Sequence, residues 1–365
     1  MRILAVNSSP RSGGRSKTEL MLNHLVEGMQ EAGAKVEIVN LRGKEIKNCI
    51  GCFTCWTKTP GKCLHKDDMT NELFPKWLKS DLAVYATPLY YHFMNATMSK
   101  FLERTLPALQ PFFTRGEGKT SHPLRQKVPS AVLLSVCGFP EESEFDALSE
   151  FVNRTRHKDV KIVAEIYRPA AGVMTNTFLE DIKNDILDAT KLAGRELVQS
   201  MKICPETMAR IRQPLVDAQT FADLGNIYWK TCIAEGVTPK EFKEKELVPR
   251  PDSVESFMLL FPFGINSEAA GEQKIHLQFN FSGEVTGSCY FVIEDGHVEP
   301  GYGISKIPDI TIQTPFGIWM DIMTGKADGQ QLFMEHKYRV EGDISLMIQL
   351  FQKKNRDQTI PGHAA

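Results

Sequence analysis

The chain has 365 residues, 42% of them apolar and 24% charged, with a formal net charge of -2 at pH 7. That length is enough for a sizeable core and, at about 150 residues per domain, points to two domains. Acids and bases are interspersed, so no overall field draws in nucleic acid or an anionic membrane, and small ligands are the expected partners.

The opening MRILAVNSSP passes from an apolar strand into a polar turn, too short for a signal-peptide core. No apolar run approaches the roughly 18 residues that span a bilayer. The expectation is a cytoplasmic protein without stable membrane insertion. Eight cysteines, four of them packed between Cys49 and Cys63, make a poor disulfide framework for a chain this large, and a reducing compartment keeps them as thiols or metal ligands.

From the start to about Met201 an apolar strand, a polar turn and an amphipathic helix recur. The runs RILAV, KVEIVNL, LAVYAT, SAVLLSV and KIVAEIY predict five parallel strands with helices on the sheet's faces, an α/β doubly wound domain over 1–201. Between 202 and 251 the character changes to short helices, including AQTFADLGNIYWKTCIAEG, and then to the charged TPKEFKEKELVPRPD, a helical bridge and linker. The strands KIHLQFNFSG, GSCYFVIEDGHVEPG and DITIQTP, followed by the helix-like FGIWMDIMTGK, predict an α+β domain over 252–353, with 354–365 as a C-terminal tail.

Directly after the first strand comes NSSPRSGGRSKTELMLNHLVEGM, a Ser- and Gly-rich loop opening a helix with apolar positions at Leu20, Leu22, Leu25, Val26 and Met29. A loop at a strand's carboxyl end that leads into a helix N-terminus gathers backbone N–H groups and the positive end of the helix dipole, so it suits a phosphate. Ser8, Ser9, Ser12, Ser16 and Thr18 add hydroxyls, Arg11 and Arg15 add charge, and Gly13 and Gly14 permit close approach. The loop lacks both G-x-G-x-x-G and the Gly-Lys-Ser ending of a P-loop, which favours a mononucleotide over a dinucleotide or a nucleoside triphosphate. An ordinary capped turn is the alternative. The second strand end, TPLYYHFMNATMSKFLER, reads as a Pro-fixed turn and helix start whose aromatics can face a flat ring, and VCGFPEESE, with Gly138, is a third.

Cys49, Cys52, Cys55 and Cys63 are spaced C-x2-C-x2-C-x7-C. Thiolates two residues apart can converge on one metal centre that a more distant fourth closes. Three readings stay open: an iron–sulfur cluster, zinc or free thiols, and packing of small apolar side chains. Cys137, Cys204, Cys232 and Cys289 are isolated and read as packing residues. Asp67 and Asp68 precede a helical stretch and read as N-terminal caps. His92 could touch a ligand at the second loop, though a solvated role is the simpler reading.

NSSPRSGGRSKT, CIGCFTCW with GKC and DDM, and ATPLYYHFMNATMSKFLER together resemble the NADPH-dependent FMN reductase branch of the flavodoxin superfamily, including the iron–sulfur flavoproteins, over about the first 200 residues. The resemblance implies a flavodoxin-like sheet and FMN, with its phosphate at Ser8, Ser9, Arg11, Ser16, Lys17 and Thr18 and its ring near Pro88, Leu89, Tyr90, Tyr91 and Phe93. It implies a [4Fe-4S] cluster at the four cysteines, NAD(P)H as a transient electron donor, and homodimers or homotetramers in which a neighbour covers the flavin. Arg15–Ser16 departs from the Asn-Thr or Asn-Ser common in that family.

The C-terminal segment DITIQTP through W.DIMTGKADGQQLFMEHKYRVEGDISLM resembles the sterol-carrier-protein (type two) domain over about 252–353. That implies a five-stranded sheet and an apolar tunnel for lipid-like ligands, while the residues themselves are explained by an ordinary core. The expected function is FMN-dependent electron transfer from NAD(P)H or a protein donor to an acceptor such as a quinone or an iron–sulfur centre. The alternative is a lipid carrier whose flavodoxin-like part is structural.

Overall fold

In the computed structural model, which describes residues 1–116, 119–175 and 179–352, all five strand candidates of the N-terminal half are strands. The chain divides into two units, Met1–Asp217 and a second that begins at Ala218. The C-terminal tail expected at 354–365 lies outside the described residues.

The first unit runs β1 (Arg2–Asn7), α1 (Lys17–Glu31), β2 (Lys35–Asn40), α2 (Phe74–Lys79), β3 (Leu82–Tyr90), β4 (Phe93–Met94), α3 (Ala96–Glu103), β5 (Thr114–Gly116), β6 (Lys119–Ser121), β7 (Ser130–Val136), α4 (Asp146–Thr155), β8 (Ile162–Arg168), α5 (Glu180–Ser200) and α6 (Pro205–Arg212). The sheet order is β2-β1-β3-β7-β8, all parallel, and the short β4 adds an antiparallel pair to the end of β3. This is the flavodoxin-like doubly wound order, whose direction reverses between β1 and β3. Strand residues alternate between the faces. Leu4 and Val6 of β1 join Phe74 and Trp77 of α2, Met98 and Phe101 of α3 and Leu148 of α4 in one buried cluster. On the opposite face α1 and α5 pack together, with Thr190 in α5 donating to Met21 Sδ at 3.8 Å.

Arg168, at the end of β8, is 1% exposed. Its Nη1 donates to Ile211 O and Gln213 O, both at 2.7 Å, and its Nε donates to Pro169 O at 2.7 Å. The guanidinium thus satisfies carbonyls at the C-terminus of α6, where a cation also complements the helix dipole. Burial lowers its pKa to about 10, with Cys137 and Glu142 acting in the opposite direction.

The second unit runs α7 (Ala218–Ala234), α8 (Pro239–Glu244), α9 (Val254–Gly264), β9 (Ile275–Ser282), β10 (Gly287–Glu294), β11 (His297–Tyr302), β12 (Ile310–Pro315), α10 (Phe316–Met323), α11 (Gly329–Met334), β13 (Arg339–Gly342) and α12 (Ile344–Phe351). Its five strands lie in the order β11-β10-β9-β12-β13, with only the β9–β12 pair parallel. Ile275, Leu277, Phe279 and Phe281 of β9 are buried at alternate positions, as one-sided packing demands. The Phe261 ring of α9 lies tilted against Phe291 with centroids 4.3 Å apart, and the Trp319 ring of α10 lies 5.1 Å from that of Phe279 and 5.4 Å from that of Phe351. The described core of this unit combines these aromatic rings with aliphatic side chains such as Ile275, Leu277, Ile310 and Leu350.

Candidate active site

Three loops leave the carboxyl ends of adjacent strands at the point where the sheet order reverses. Asn7, the last residue of β1, pairs with Ala86, and Val136, the last of β7, pairs with Pro88, so both flanking strands end beside the last residues of β3 before Tyr90. Such a crevice is where open α/β sheets take ligands.

The first loop is pinned to the second. The Ser8 N–H and hydroxyl both donate to Ala86 O, at 2.9 and 3.2 Å, and Asn95 Nδ2 donates to Ser8 O at 2.7 Å. Asn95 also caps α3 by accepting from the Met98 N–H. Ser16 caps α1, accepting from Glu19 N at 3.0 Å, while its own hydroxyl donates to Ser9 Oγ at 2.8 Å. Ser8, Ser9, Ser16 and Thr18 are buried, Arg11 is exposed, and Lys17 is the half-buried first residue of α1. Several hydroxyls read as phosphate donors are therefore already engaged in shaping the loop. Gly13 and Gly14 hold left-handed φ values of 63° and 76°, and an added Cβ on either would meet nothing within 4 Å. A turn that only glycine adopts easily, open space above it and the N-terminus of a 15-residue helix fit a phosphate group.

The second loop differs from the sequence reading. Pro88 is buried inside β3 instead of fixing a turn. The turn is at Tyr91 and His92, which take φ values of 52° and 57° and close a two-residue hairpin between Tyr90 and Phe93. This left-handed pair puts Tyr91 wholly in solvent (101% exposed) and leaves Tyr90 half-exposed, whereas Leu89 is half-buried and Phe93 packs edge-on against Phe151 at 4.6 Å. His92 meets Glu144 at 3.1 Å.

The third loop exposes Gly138 and Phe139. Cys137 beneath them is buried, its thiol donates to Phe139 O at 3.2 Å, and burial pushes its pKa up to about 11. It packs, as expected of an isolated cysteine.

The four clustered cysteines lie on the irregular segment after β2. Gly51, Phe53 and Gly61 take left-handed conformations there. All four cysteines line one small pocket that opens to solvent, together with Ile50, Phe53, Leu64, His65, Arg104, Leu106 and Pro107. Cys55 is buried, and burial together with the neighbouring Cys63, Cys52 and Cys49 raises its pKa. Thr54 lowers that of the exposed Cys52 by hydrogen bonding. Among the described residues no three His, Cys, Asp or Glu side chains are already arranged to hold a metal ion. The donor set itself, four soft thiols on one bent loop facing one pocket, fits a thiolate-held centre.

Asp67 does more than cap. It accepts from Thr70 N at 3.0 Å, as a cap would, but it also accepts from Lys47 N at 3.0 Å and forms a two-pronged ion pair with Arg104 at 2.6 and 3.1 Å. Both side chains are essentially inaccessible. Burial alone would raise the Asp67 pKa, and the bonds from Arg104, Lys47 and Thr70 outweigh it and hold the carboxyl well below the usual carboxylate range. Asp68 accepts from Glu45 N at 2.8 Å and makes no side-chain cap. Arg104 was not legible as a site residue: its partner is 37 positions away, and nothing in the local pattern of α3 distinguishes it from a surface cation.

Residues 1–140 match the NADPH-dependent FMN reductase family, and residues 269–352 match the SCP-2 sterol transfer family. The chain therefore carries an N-terminal segment similar to the reductase family and a C-terminal segment similar to the SCP-2 family. An iron-sulfur flavoprotein of Archaeoglobus fulgidus is 36% identical over 107 residues, covering 29% of this chain and 46% of that protein. One from Methanocaldococcus jannaschii is 30% identical over 107 residues, covering 29% and 53%. The chain spans about half the length of these curated relatives. Among solved structures, an NAD(P)H:quinone oxidoreductase from Methanothermobacter marburgensis aligns with a TM-score of 0.41 at 17% identity, covering 54% of this chain and 96% of that one. No helix among the described residues is long and apolar enough to cross a membrane.

Proposed function

We propose that the reductase-family unit binds FMN in the crevice at the β1/β3 reversal and passes electrons from NAD(P)H or a protein donor to an acceptor such as a quinone or an iron–sulfur centre. The observation that carries this reading is the meeting of three strand-end loops, with Ser8 and Asn95 tying the first to the second. The Ser9–Ser16 loop and the first turn of α1 would hold the phosphate, with Arg11, Lys17 and Thr18 beside it. Pro88, Leu89, Tyr90, Tyr91, Phe93 and Gly138 would border the ring, Phe93 from behind, because Phe151 already occupies one edge. FMN supplies the ability to take a hydride as two electrons and release them singly. The exposed Tyr91 and Phe139 suit cover by a second copy, in a homodimer or homotetramer.

Cys49, Cys52, Cys55 and Cys63 would hold an iron–sulfur centre, which supplies one-electron capacity. Support comes from the four thiols on one pocket and from the names of the curated relatives. An apolar ligand or quinone in the SCP-2 unit is a further element of the reading. A pure lipid carrier is the weaker alternative, since it leaves the three-loop crevice without a task.

The test is to purify the chain without oxygen, measure its visible spectrum with released flavin, iron, zinc and acid-labile sulfide, and add NADPH, NADH or dithionite. About one FMN per chain, bleached by a reductant, is expected. A chain that neither retains added FMN nor reduces it overturns the reading.

A further inference from the structure

The buried guanidinium of Arg104 stands in the wall of the cysteine pocket with one donor left over. Its two terminal nitrogens are committed. Nη1 donates to Lys47 O and Asp67 Oδ2, both at 2.6 Å, and Nη2 donates to Asp67 Oδ1 at 3.1 Å and Thr70 Oγ1 at 2.9 Å. Those bonds fix the fork from one side. Nε is buried and has no hydrogen-bond partner, and Cys63 lines the same pocket as Arg104.

A buried donor without an acceptor is uncommon and calls for a partner. A neutral thiol accepts weakly, and a thiolate accepts well from a charged donor. Asp67 in turn is held by the Lys47 and Thr70 N–H groups, so the cation is set in place by the fold and needs no ligand to position it. Arg104 also ties down both flanks of the cysteine segment, through Lys47 before Cys49 and Asp67 after Cys63.

We propose that Arg104 is the positioning residue of the cysteine pocket: its Nε–H donates to Cys63 when that thiolate ligates a metal centre, and its charge raises the centre's reduction potential. The inference rests on the reading of this pocket as an iron–sulfur site. Partners of the ligating atoms tune such centres, and a cation beside them favours the reduced form, which carries more negative charge.

The test uses the full chain, reconstituted anaerobically with ferrous iron, sulfide and FMN. Wild type is compared with Arg104→Lys and with the double variant Arg104→Gln/Asp67→Asn, which removes both buried charges together. Iron and sulfide per chain and the midpoint of the iron–sulfur signal in a redox titration are the readouts, with bound FMN reporting the fold. In the double variant the equilibrium for reduction is expected to fall at least tenfold, 59 mV for one electron. Arg104→Lys, which keeps the charge and loses Nε, is expected to fall by about threefold. If the double variant does not fold, the lysine variant decides alone. Loaded variants with the wild-type midpoint would overturn the role of Arg104 and leave the cluster reading standing. A wild-type chain that retains FMN yet takes up no iron or sulfide would overturn that reading and this inference with it.

Discussion

Gly28 in α1 and Gly194 in α5 lie at a helix crossing with no room for a methyl group on either. A Cβ on Gly28 would stand 1.8 Å from Lys191 O, and one on Gly194 would stand 2.0 Å from Leu25 O. Both obstacles are backbone, so relief requires the helices to separate. Gly28→Ala and Gly194→Ala are each expected to cost about 3 kcal/mol despite alanine's better helix propensity. Gly43→Ala, where the added Cβ meets nothing within 4 Å, is the control and is expected to stay within about 0.5 kcal/mol. Urea midpoints check this, and equal stability of all three variants would contradict the close crossing.

The Asp67–Arg104 pair should make stability depend on pH in a definite direction. The folded pKa of Asp67 is depressed, so its contribution is complete above the unfolded value, near 3.8, and is lost as pH falls through the folded value. Asp67→Asn leaves the Arg104 charge buried and uncompensated and is expected to cost about 3–5 kcal/mol at pH 7. The gap from wild type should be constant between pH 5 and 8 and narrow below about pH 4. Denaturant titrations across that range measure it, and a gap independent of pH would show that Asp67 acts through packing alone.

Arg168 clamps the end of α6 onto β8 through carbonyls, without a carboxylate partner among the bonds described. Arg168→Met removes charged donors from buried acceptors and is expected to cost about 3 kcal/mol. Amide exchange should rise first over Pro205–Arg212, the helix that loses its C-terminal donor. Exchange raised uniformly over the sheet would assign Arg168 a general core role.

If the Ser9–Ser16 loop holds a phosphate, loop variants should affect FMN and riboflavin differently. Ser16→Ala removes the α1 cap and the support of Ser9, at about 1 kcal/mol in stability. FMN affinity is expected to weaken about tenfold, equivalent to roughly 1.4 kcal/mol, while riboflavin, which lacks the phosphate, binds as before. Fluorescence titration with both flavins decides. Equal losses would move the phosphate away from this loop.

The sheet was legible because RILAV, LAVYAT and SAVLLSV are β-rich runs bounded by turn residues, and strand-end loops follow from that order. Pro88 was misplaced because the local rule for Pro favours a turn, and pairing of β3 with β7 and β4 overrode it. The true turn carries no Asn-Gly signal, since Tyr91 and His92 adopt left-handed φ without glycine. Arg104 and Asp67 meet only in three dimensions, and an aspartate before a helix has a sufficient local explanation as a cap. The Gly28–Gly194 crossing was hidden for the same reason: each glycine alone is a weak helix former, and only the crossing gives it a purpose.

Trp319 offers a test inside the second unit. The indole is 3% exposed, surrounded by Phe279, Tyr338 and Phe351, and its Nε1 has no hydrogen-bond partner. Leaving that N–H buried costs about 1–3 kcal/mol, so Trp319→Phe removes a penalty as well as some packing volume. The two effects oppose each other, and the variant is expected within about 1 kcal/mol of wild type. Phe261→Ala, in the same cluster with no polar atom to lose, is expected to cost about 3–5 kcal/mol. Thermal unfolding of both variants measures the contrast. A Trp319→Phe loss as large as that of Phe261→Ala would mean that the indole N–H has an acceptor in solution, and binding of a fluorescent fatty acid by wild type but not by Trp319→Phe would place that acceptor on a lipid.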